Sequence, residues 1–246
     1  MSLKATLKTF SSRNIRYLYL GDFGLFLGFW FVWLTLSLLG PVRAQNDFYQ
    51  LAVLKYRGGG DWYANPTAVP NLVAFCNEKM GMMIDAEVAT VDVGSSELFD
   101  YPWIHMTGHG NVVFSASEAR NLKTYLEAGG FLHISDNYGM DPYVRRELRK
   151  VFPESDWVEL PWSHEVFHAA FEFDKGLPKI HEHDDGPARG YGMFHEGRLV
   201  VFYDYESDLG DGWEDWQVHR DPEDVRLLAL RMGANLITKA FGGQVN

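Results

Sequence analysis

Two stretches decide the fold: Trp103-Ile104-His105-Met106-Thr107, stopped by Gly108-His109-Gly110, and Phe131-Leu132-His133-Ile134, opening onto Ser135-Asp136-Asn137-Tyr138-Gly139. Each is a short, largely apolar run that breaks into glycine and polar residues, the signature of a strand ending in a loop. Between them, Ser115 or Ser117 can cap a helix running to Ala128, with Glu118 placed for a capping box from Ser115 and Gly129-Gly130 closing it. Working outward, Phe48 to Tyr56 reads as a strand ending at Gly58-Gly59-Gly60. Thr67 to Met80 reads as a helix with Leu72, Val73, Phe75, Cys76 and Met80 as its apolar stripe, and Ala86 to Val93 as another strand. A helix from about Pro142 to Val151 follows. Gly190–Phe194 and Arg198–Tyr203 flank His195-Glu196-Gly197 as a hairpin, and Asp221-Pro222 starts a long final helix. Strands alternating with helices predict an α/β fold, a mainly parallel sheet of about five or six strands between helical layers. The strand from Phe48 should lie inside that sheet, because Leu51, Val53 and Leu54 are apolar without strict alternation.

The chain has 246 residues, 46% of them hydrophobic, with 33 acidic and 22 basic residues and a net charge of -11. That balance argues against a nucleic-acid partner, since phosphate contacts need basic surface. Residues 1–44 differ from the rest. Lys4, Lys8, Arg13 and Arg16 precede an apolar run from Phe23 to Leu39, then Gly40-Pro41 and Val42-Arg43-Ala44. This basic, apolar, small-residue order is that of a signal peptide, with cleavage expected after Ala44; an uncleaved membrane anchor is the rival reading. Residues 45–246 then form one domain outside the cytoplasm, periplasmic or otherwise extracytoplasmic, touching the inner membrane only through an uncleaved leader. The leader holds five basic residues and one acidic residue, so the body is more acidic than the whole chain. Such a body suits basic partners, neutral ligands such as sugars, or cations. Cys76, the one cysteine, falls on the stripe of a helix and reads as a buried, inert thiol.

In parallel sheets the ligand site lies beyond the carboxyl ends of the strands. That rule selects Gly58–Tyr63, Thr107–Gly110 and Ser135–Gly139 as the rim of one crevice. The candidate ligand-binding residues are Gly59, Asp61, Trp62, Tyr63, His109, Ser135, Asp136, Asn137, Tyr138 and His164. Rings such as Trp62, Tyr63 and Tyr138 beside Asp, Asn and His suit a neutral polyol or sugar. His109 and Asp136 should share the crevice, and His164 should reach it as a polar contact.

His164-Glu165-Val166-Phe167-His168 matches H-E-x-x-H, the pair of imidazoles that holds zinc when carried on a helix. Pro161 and Ser163 start only a short segment, and no well-placed third ligand follows, so it reads as a loop. His181-Glu182-His183-Asp184-Asp185 could bind a metal, but as a polar run before Gly186-Pro187 it reads as a solvated loop. Asp204-Tyr205-Glu206-Ser207-Asp208 begins like a calcium loop, but Leu209 occupies the place of the required glycine. Asp208, Asp211, Glu214 and Asp215 could still line a non-standard cation site, although the preferred reading has no metal. Gly58-Gly59-Gly60 lacks the Gly-Lys-Ser/Thr ending of a phosphate loop, and no cofactor is expected. Its glycines instead let backbone approach a ligand or a neighbouring loop.

Arg57 to Tyr63, Thr107 to Gly110, Gly129 to Asn137, Ser163 to Phe167 and Gly197 to Val201 together resemble family 4159 of the domains of unknown function, a family of bacterial envelope proteins. More distantly, the fourth strand and its turn are similar to trehalose-utilisation-type proteins of the class I glutamine amidotransferase-like superfamily. The resemblance implies a Rossmann-like, three-layer α/β/α sandwich and no established activity. Amidotransferases place a cysteine in a Gly-x-Cys-x-Gly turn after a strand; here that turn carries Ser135-Asp136-Asn137, and Cys76 lies in the first helix. Glutaminase chemistry through cysteine is therefore excluded. Ser135 lacks the glycines of a nucleophile elbow, so Ser135 and Asp136 read as turn caps. In the resembling family the position of Glu165 usually carries proline in a loop, which makes the zinc-helix match accidental. Two function classes remain. One is an exported domain binding a small polar, sugar-like ligand or an envelope protein partner. The alternative is a hydrolase, metal-dependent in one form, using His109, His133, Asp136 and His164.

Overall fold

A computed structural model describes residues 48–242. In chain order they form β1 (Ala52–Lys55), α1 (Ala68–Met80), β2 (Ala89–Asp92), β3 (Trp103–Met106), α2 (Ala116–Glu127), β4 (Phe131–Ser135), α3 (Asp141–Val151) and β5 (Val158–Glu159). Then follow β6 (Arg189–His195), β7 (Arg198–Tyr205), α4 (Leu209–Trp213), α5 (Trp216–His219) and α6 (Glu223–Gly242). The expected leader, residues 1–44, lies outside the described residues. Among the described residues no helix is long and apolar enough to cross a membrane.

The sheet runs β2-β1-β3-β4-β7-β6-β5. β1, β2, β3, β4 and β7 are mutually parallel; β6 pairs antiparallel with β7, and β5 antiparallel with β6. The strand from Phe48 is interior as expected, although its regular part starts only at Ala52 and Tyr49 makes a single bridge to Ile84. The seventh strand, β5, has two residues and so carries no readable periodicity. Strand order reverses at β1: the next strand lies on one side of it and the following strand on the other. That is the switch point at which open α/β sheets place ligands.

Side chains alternate across the sheet and build two cores. Ala52, Leu54, Ile104, Met106, Leu132 and Ile134 pack against α2 and α3 through Leu122, Leu126, Val144 and Leu148. On the other face, Trp103, Phe131 and Phe202 pack against α1, α4 and α6 through Leu72, Trp213, Met232 and Leu236. Helices thus cover both faces. Ser115 caps α2 in a two-way capping box with Glu118, satisfying donors that would otherwise be left open at the helix start. In α6, Gly233 permits close packing, since a Cβ there would stand 2.7 Å from Leu72 Cδ1 and 2.8 Å from Trp213 Cζ2.

Candidate functional site

Beyond β1 and β3, glycines bring two loops together. Gly60 N–H donates to Asn111 O at 2.9 Å and Val113 N–H to Arg57 O at 2.7 Å. Gly58 has φ +120°, and a Cβ there would lie 2.7 Å from Asn111 O. Backbone approach to a neighbouring loop is therefore the use made of Gly58 and Gly60, while Gly59 sits exposed on the turn. Asp61 staples the pair: its carboxylate accepts the His109 backbone N–H at 2.5 Å and faces His109 Nδ1 at 3.0 Å. Burial raises the Asp61 carboxyl, but these bonds outweigh it and hold the group below its ordinary value. His109 is more than half exposed at this rim.

Beneath β4 and β7 runs a buried polar chain. His105 Nδ1 lies 3.0 Å from His133 Nδ1, and His133 Nε2 lies 2.9 Å from Asp204 Oδ2. Ser135 Oγ donates to Asp204 Oδ1 at 3.0 Å and accepts Gly210 N–H at 3.0 Å. The imidazoles stack among Trp103, Trp213 and Phe202. Burial pushes His105 down to about 3 and His133 well below its ordinary value, and pushes the Asp204 carboxyl up. Neutral imidazoles are what a dry, aromatic enclosure favours. The chain ties β3, β4, β7 and the start of α4 together, with His133 and Ser135 wholly buried.

Asp136 is also buried. It accepts Met140 N–H at 3.2 Å and the Tyr203 hydroxyl at 3.0 Å, the turn-capping role read for it. Burial raises its carboxyl, opposed by those two bonds. Consequently His109 and Asp136 do not face one open crevice: one is at the surface and the other is enclosed. His164 stands elsewhere. Its ring meets Phe194, which pairs with Leu199 near the start of β7, at the opposite end of the sheet from the strand ends that carry Asp204 and Ser135. His164 and His168 flank a three-residue 3-10 turn, Glu165–Phe167, so the H-E-x-x-H stretch forms no helix that would present both imidazoles together. The set His109, His133, Asp136 and His164 is thus not assembled.

Asn137 and Tyr138 lead to what does converge. Thr107 Oγ1 donates to Asn137 Oδ1 at 2.9 Å, Asn137 Nδ2 to Asn65 Oδ1 at 2.7 Å, and Asn65 Nδ2 to Asp211 Oδ1 at 2.5 Å. Tyr138, with φ 79°, stands half exposed, donates to Asp184 at 3.0 Å and sets its ring edge against His183. Around this arm gather His181, His183, Asp208, Asp211, His219 and Asp221. His181 Nδ1 lies 3.2 Å from Asp211 Oδ2 and 3.3 Å from Asp208 Oδ2, and His183 Nε2 lies 2.8 Å from Asp208 Oδ2. His219 Nε2 lies 3.5 Å from Asp211 Oδ2, and His181 Nε2 faces the Asp221 carboxylate at 3.1 Å. Hydrogen bonds to Asp208 and Asp211 raise His181 to about 11; a bond to Asp208 raises His183. Burial raises Asp208, but its bonds to the two imidazoles outweigh that and lower it.

The stretch 181–185, read from sequence as a solvated loop, is therefore anchored by His181 and His183 onto the loop after β7. The sequence signal was present in two halves, a His-x-His pair and an acidic run at 204–215, but nothing local says that they meet. Two groupings of His, Asp and Glu, His181–Asp211–His219 and His168–Glu172–Asp174, bring their donor atoms within 4.8 Å of one another. Along the sequence, the 181–185 run and the acidic residues 208–215 are separate cation candidates, and nothing there joins them or brings in His219.

Alongside the arm lies a cleft of about 250 Å³, walled by Trp62, Tyr63, Val69 and Thr90 and including Asn65. Trp62 and Tyr63 meet edge to face at 5.5 Å. Asn65 both lines this cleft and holds Asp211, so the aromatic wall and the histidine–aspartate cluster share one residue.

The family model described as "Domain of unknown function (DUF4159)" matches residues 50–241. No curated protein matches the chain.

Proposed function

Because the chain belongs to the DUF4159 family, whose description assigns no activity, we propose a function from the site itself: the domain binds a small, neutral, sugar-like ligand. The scaffold is read as class I glutamine amidotransferase-like, without that superfamily's catalytic cysteine. One observation carries the binding reading, the cleft walled by Trp62 and Tyr63 with Asn65 and Thr90 among its lining residues. Aromatic rings cover the apolar face of a sugar, and polar lining residues pair with its hydroxyls. The acidic body favours a neutral ligand over an anionic one. Binding is also supported over acyl transfer by the state of Cys76 and Ser135. Cys76 is buried in α1 with its thiol pushed up to about 12, and Ser135 is buried and already bonded to Asp204 and Gly210.

A glycan array followed by calorimetry on the purified chain tests this. Binding of neutral mono- or disaccharides should weaken at least about tenfold, or ~1.4 kcal/mol, in Trp62→Ala with little change in melting temperature. No binding across the array, or binding indifferent to Trp62 and Tyr63, would overturn the reading. The proposal extends to export, on the basic, apolar, Val-Arg-Ala order of residues 1–44. Mass spectrometry of the native protein should find Gln45 at the N-terminus, and a full-length cytoplasmic product would refute it.

A further inference from the structure

We propose that His181 Nδ1, Asp211 Oδ2 and His219 Nε2, with the Asp208 carboxylate beside them, form a binding site for a divalent transition metal of the zinc type. The proposal stands apart from the sugar-like ligand and does not depend on it.

Donor spacing is the first argument. A zinc ion held at about 2.0–2.2 Å by imidazole nitrogen and carboxylate oxygen sets its donors roughly 3.0–3.6 Å apart, from octahedral to tetrahedral geometry. The observed separations are 3.2 Å for His181–Asp211 and 3.5 Å for His219–Asp211, and the three donor atoms lie within 4.8 Å of one another. Both separations fall in that window and exceed the ~2.9 Å of a good N–H···O bond. Proton counting agrees: His181 Nδ1 has one proton at most and faces two carboxylate oxygens at equal range, on Asp208 and Asp211, so it cannot serve both fully.

The surroundings supply the second argument. Metal-bound histidines characteristically direct the other ring nitrogen at a carboxylate, which fixes the ring and its tautomer. His181 Nε2 does this, at 3.1 and 3.2 Å from the two oxygens of Asp221. Asp211 is oriented likewise: Asn65 bonds its Oδ1, leaving Oδ2 toward the imidazoles.

A third, independent observation is Asp208. It is 3% exposed, and its Oδ1 is buried without a hydrogen-bond partner among the described residues. Its Oδ2 faces His181 and His183, and a buried carboxylate whose other oxygen is unserved is costly unless further positive charge stands close by, as an ion on His181 would provide. Two imidazoles with carboxylates select a first-row transition ion; calcium and magnesium prefer all-oxygen shells. The acidic loop after β7 thus serves a mixed nitrogen–oxygen site and not the calcium loop that its opening residues imitate.

The test uses the full chain, stripped with chelator and titrated with Zn²⁺ alone, read by calorimetry, elemental analysis and thermal melting. One Zn²⁺ per chain is expected, with a melting temperature raised by about 5 °C or more at a hundredfold excess over Kd. His181→Ala and Asp211→Asn should each weaken binding at least tenfold, and Asp221→Asn by about 10–100-fold through the outer contact. Should His181→Ala fail to fold, His219→Gln, on a part-exposed side chain, carries the same comparison. His168→Ala, in the other grouping, should leave binding unchanged. Absence of stoichiometric zinc on the folded chain would overturn the proposal. So would undiminished affinity in the His219 variant, transfer of the loss to His168→Ala, or tighter binding of Ca²⁺ than of Zn²⁺. None of these results bears on glycan binding, so the two readings fail separately.

Discussion

Replacing Asp204 by alanine is the sharpest test of the buried polar chain. Asp204 is fully buried and serves two groups, His133 Nε2 at 2.9 Å and Ser135 Oγ at 3.0 Å. Alanine leaves the imidazole nitrogen without a partner in an aromatic enclosure and releases the Ser135 hydroxyl from one of its two bonds. Each unsatisfied buried group costs about 1–3 kcal/mol, and two groups lose a partner, so the expected loss is about 2–6 kcal/mol. For a domain of this size that lowers the melting temperature by roughly 4–24 °C. Asp204→Asn retains the shape with one donor and one acceptor, and should cost less than about 1.5 kcal/mol. Urea denaturation followed by circular dichroism measures both. A loss below about 1 kcal/mol for alanine, or equal losses for the two variants, would refute the claim that this chain joins β3, β4 and β7.

The same enclosure predicts an acid limb. The pKa of His105 is depressed from 6.5 to about 3, so the unfolded chain takes up a proton below about 6.5 that the folded chain refuses. The stability it contributes is present above that pH and is lost as pH falls toward about 3, at up to ~1.4 kcal/mol per pH unit. His105→Phe should make the loss between about pH 6 and 4.5 shallower, and an unchanged slope would contradict the account. Gly233→Ala, which in an open helix would gain about 1 kcal/mol, should instead destabilise by about 1–2 kcal/mol, because the new Cβ meets Leu72 and Trp213. Stabilisation in urea melts would show that α6 packs more loosely than described. Cys76, with its thiol pushed up to about 12 by burial, should react with a thiol reagent only as fast as the chain opens. Labelling of the native protein within minutes would place it at the surface.

Some of this protein was legible along the chain because its causes are local. The capping box at Ser115 and Glu118 joins residues one helical turn apart, so the sequence states it outright. The hairpin of β6 and β7 follows from a short turn between two apolar runs. The interior position of β1 follows from apolar residues on both its faces, which an edge strand would expose to water. Ser135 and Asp136, read from sequence both as turn caps and as ligand contacts, are buried and bonded within the fold. β5, two residues long, offers too few side chains for any period.

The site was decided elsewhere. His105 and His133 become neighbours only because β3 and β4 pair in register, and Asp204 reaches them only because β7 pairs with β4 across a long separation in sequence. His181 and His183 look like solvated loop residues until Asp208, Asp211 and Asp221 are folded against them. His164, promising by composition, is carried to the far end of the sheet because β6 runs antiparallel to β7. The sequence by itself determined most of the strands and helices, since backbone preferences and side-chain periodicity act over a few residues. It did not determine the start of β1, the two-residue β5 or the short α4 and α5. Which polar side chains share a site was settled by tertiary structure alone, because strand order and register bring together charges that no local spacing connects.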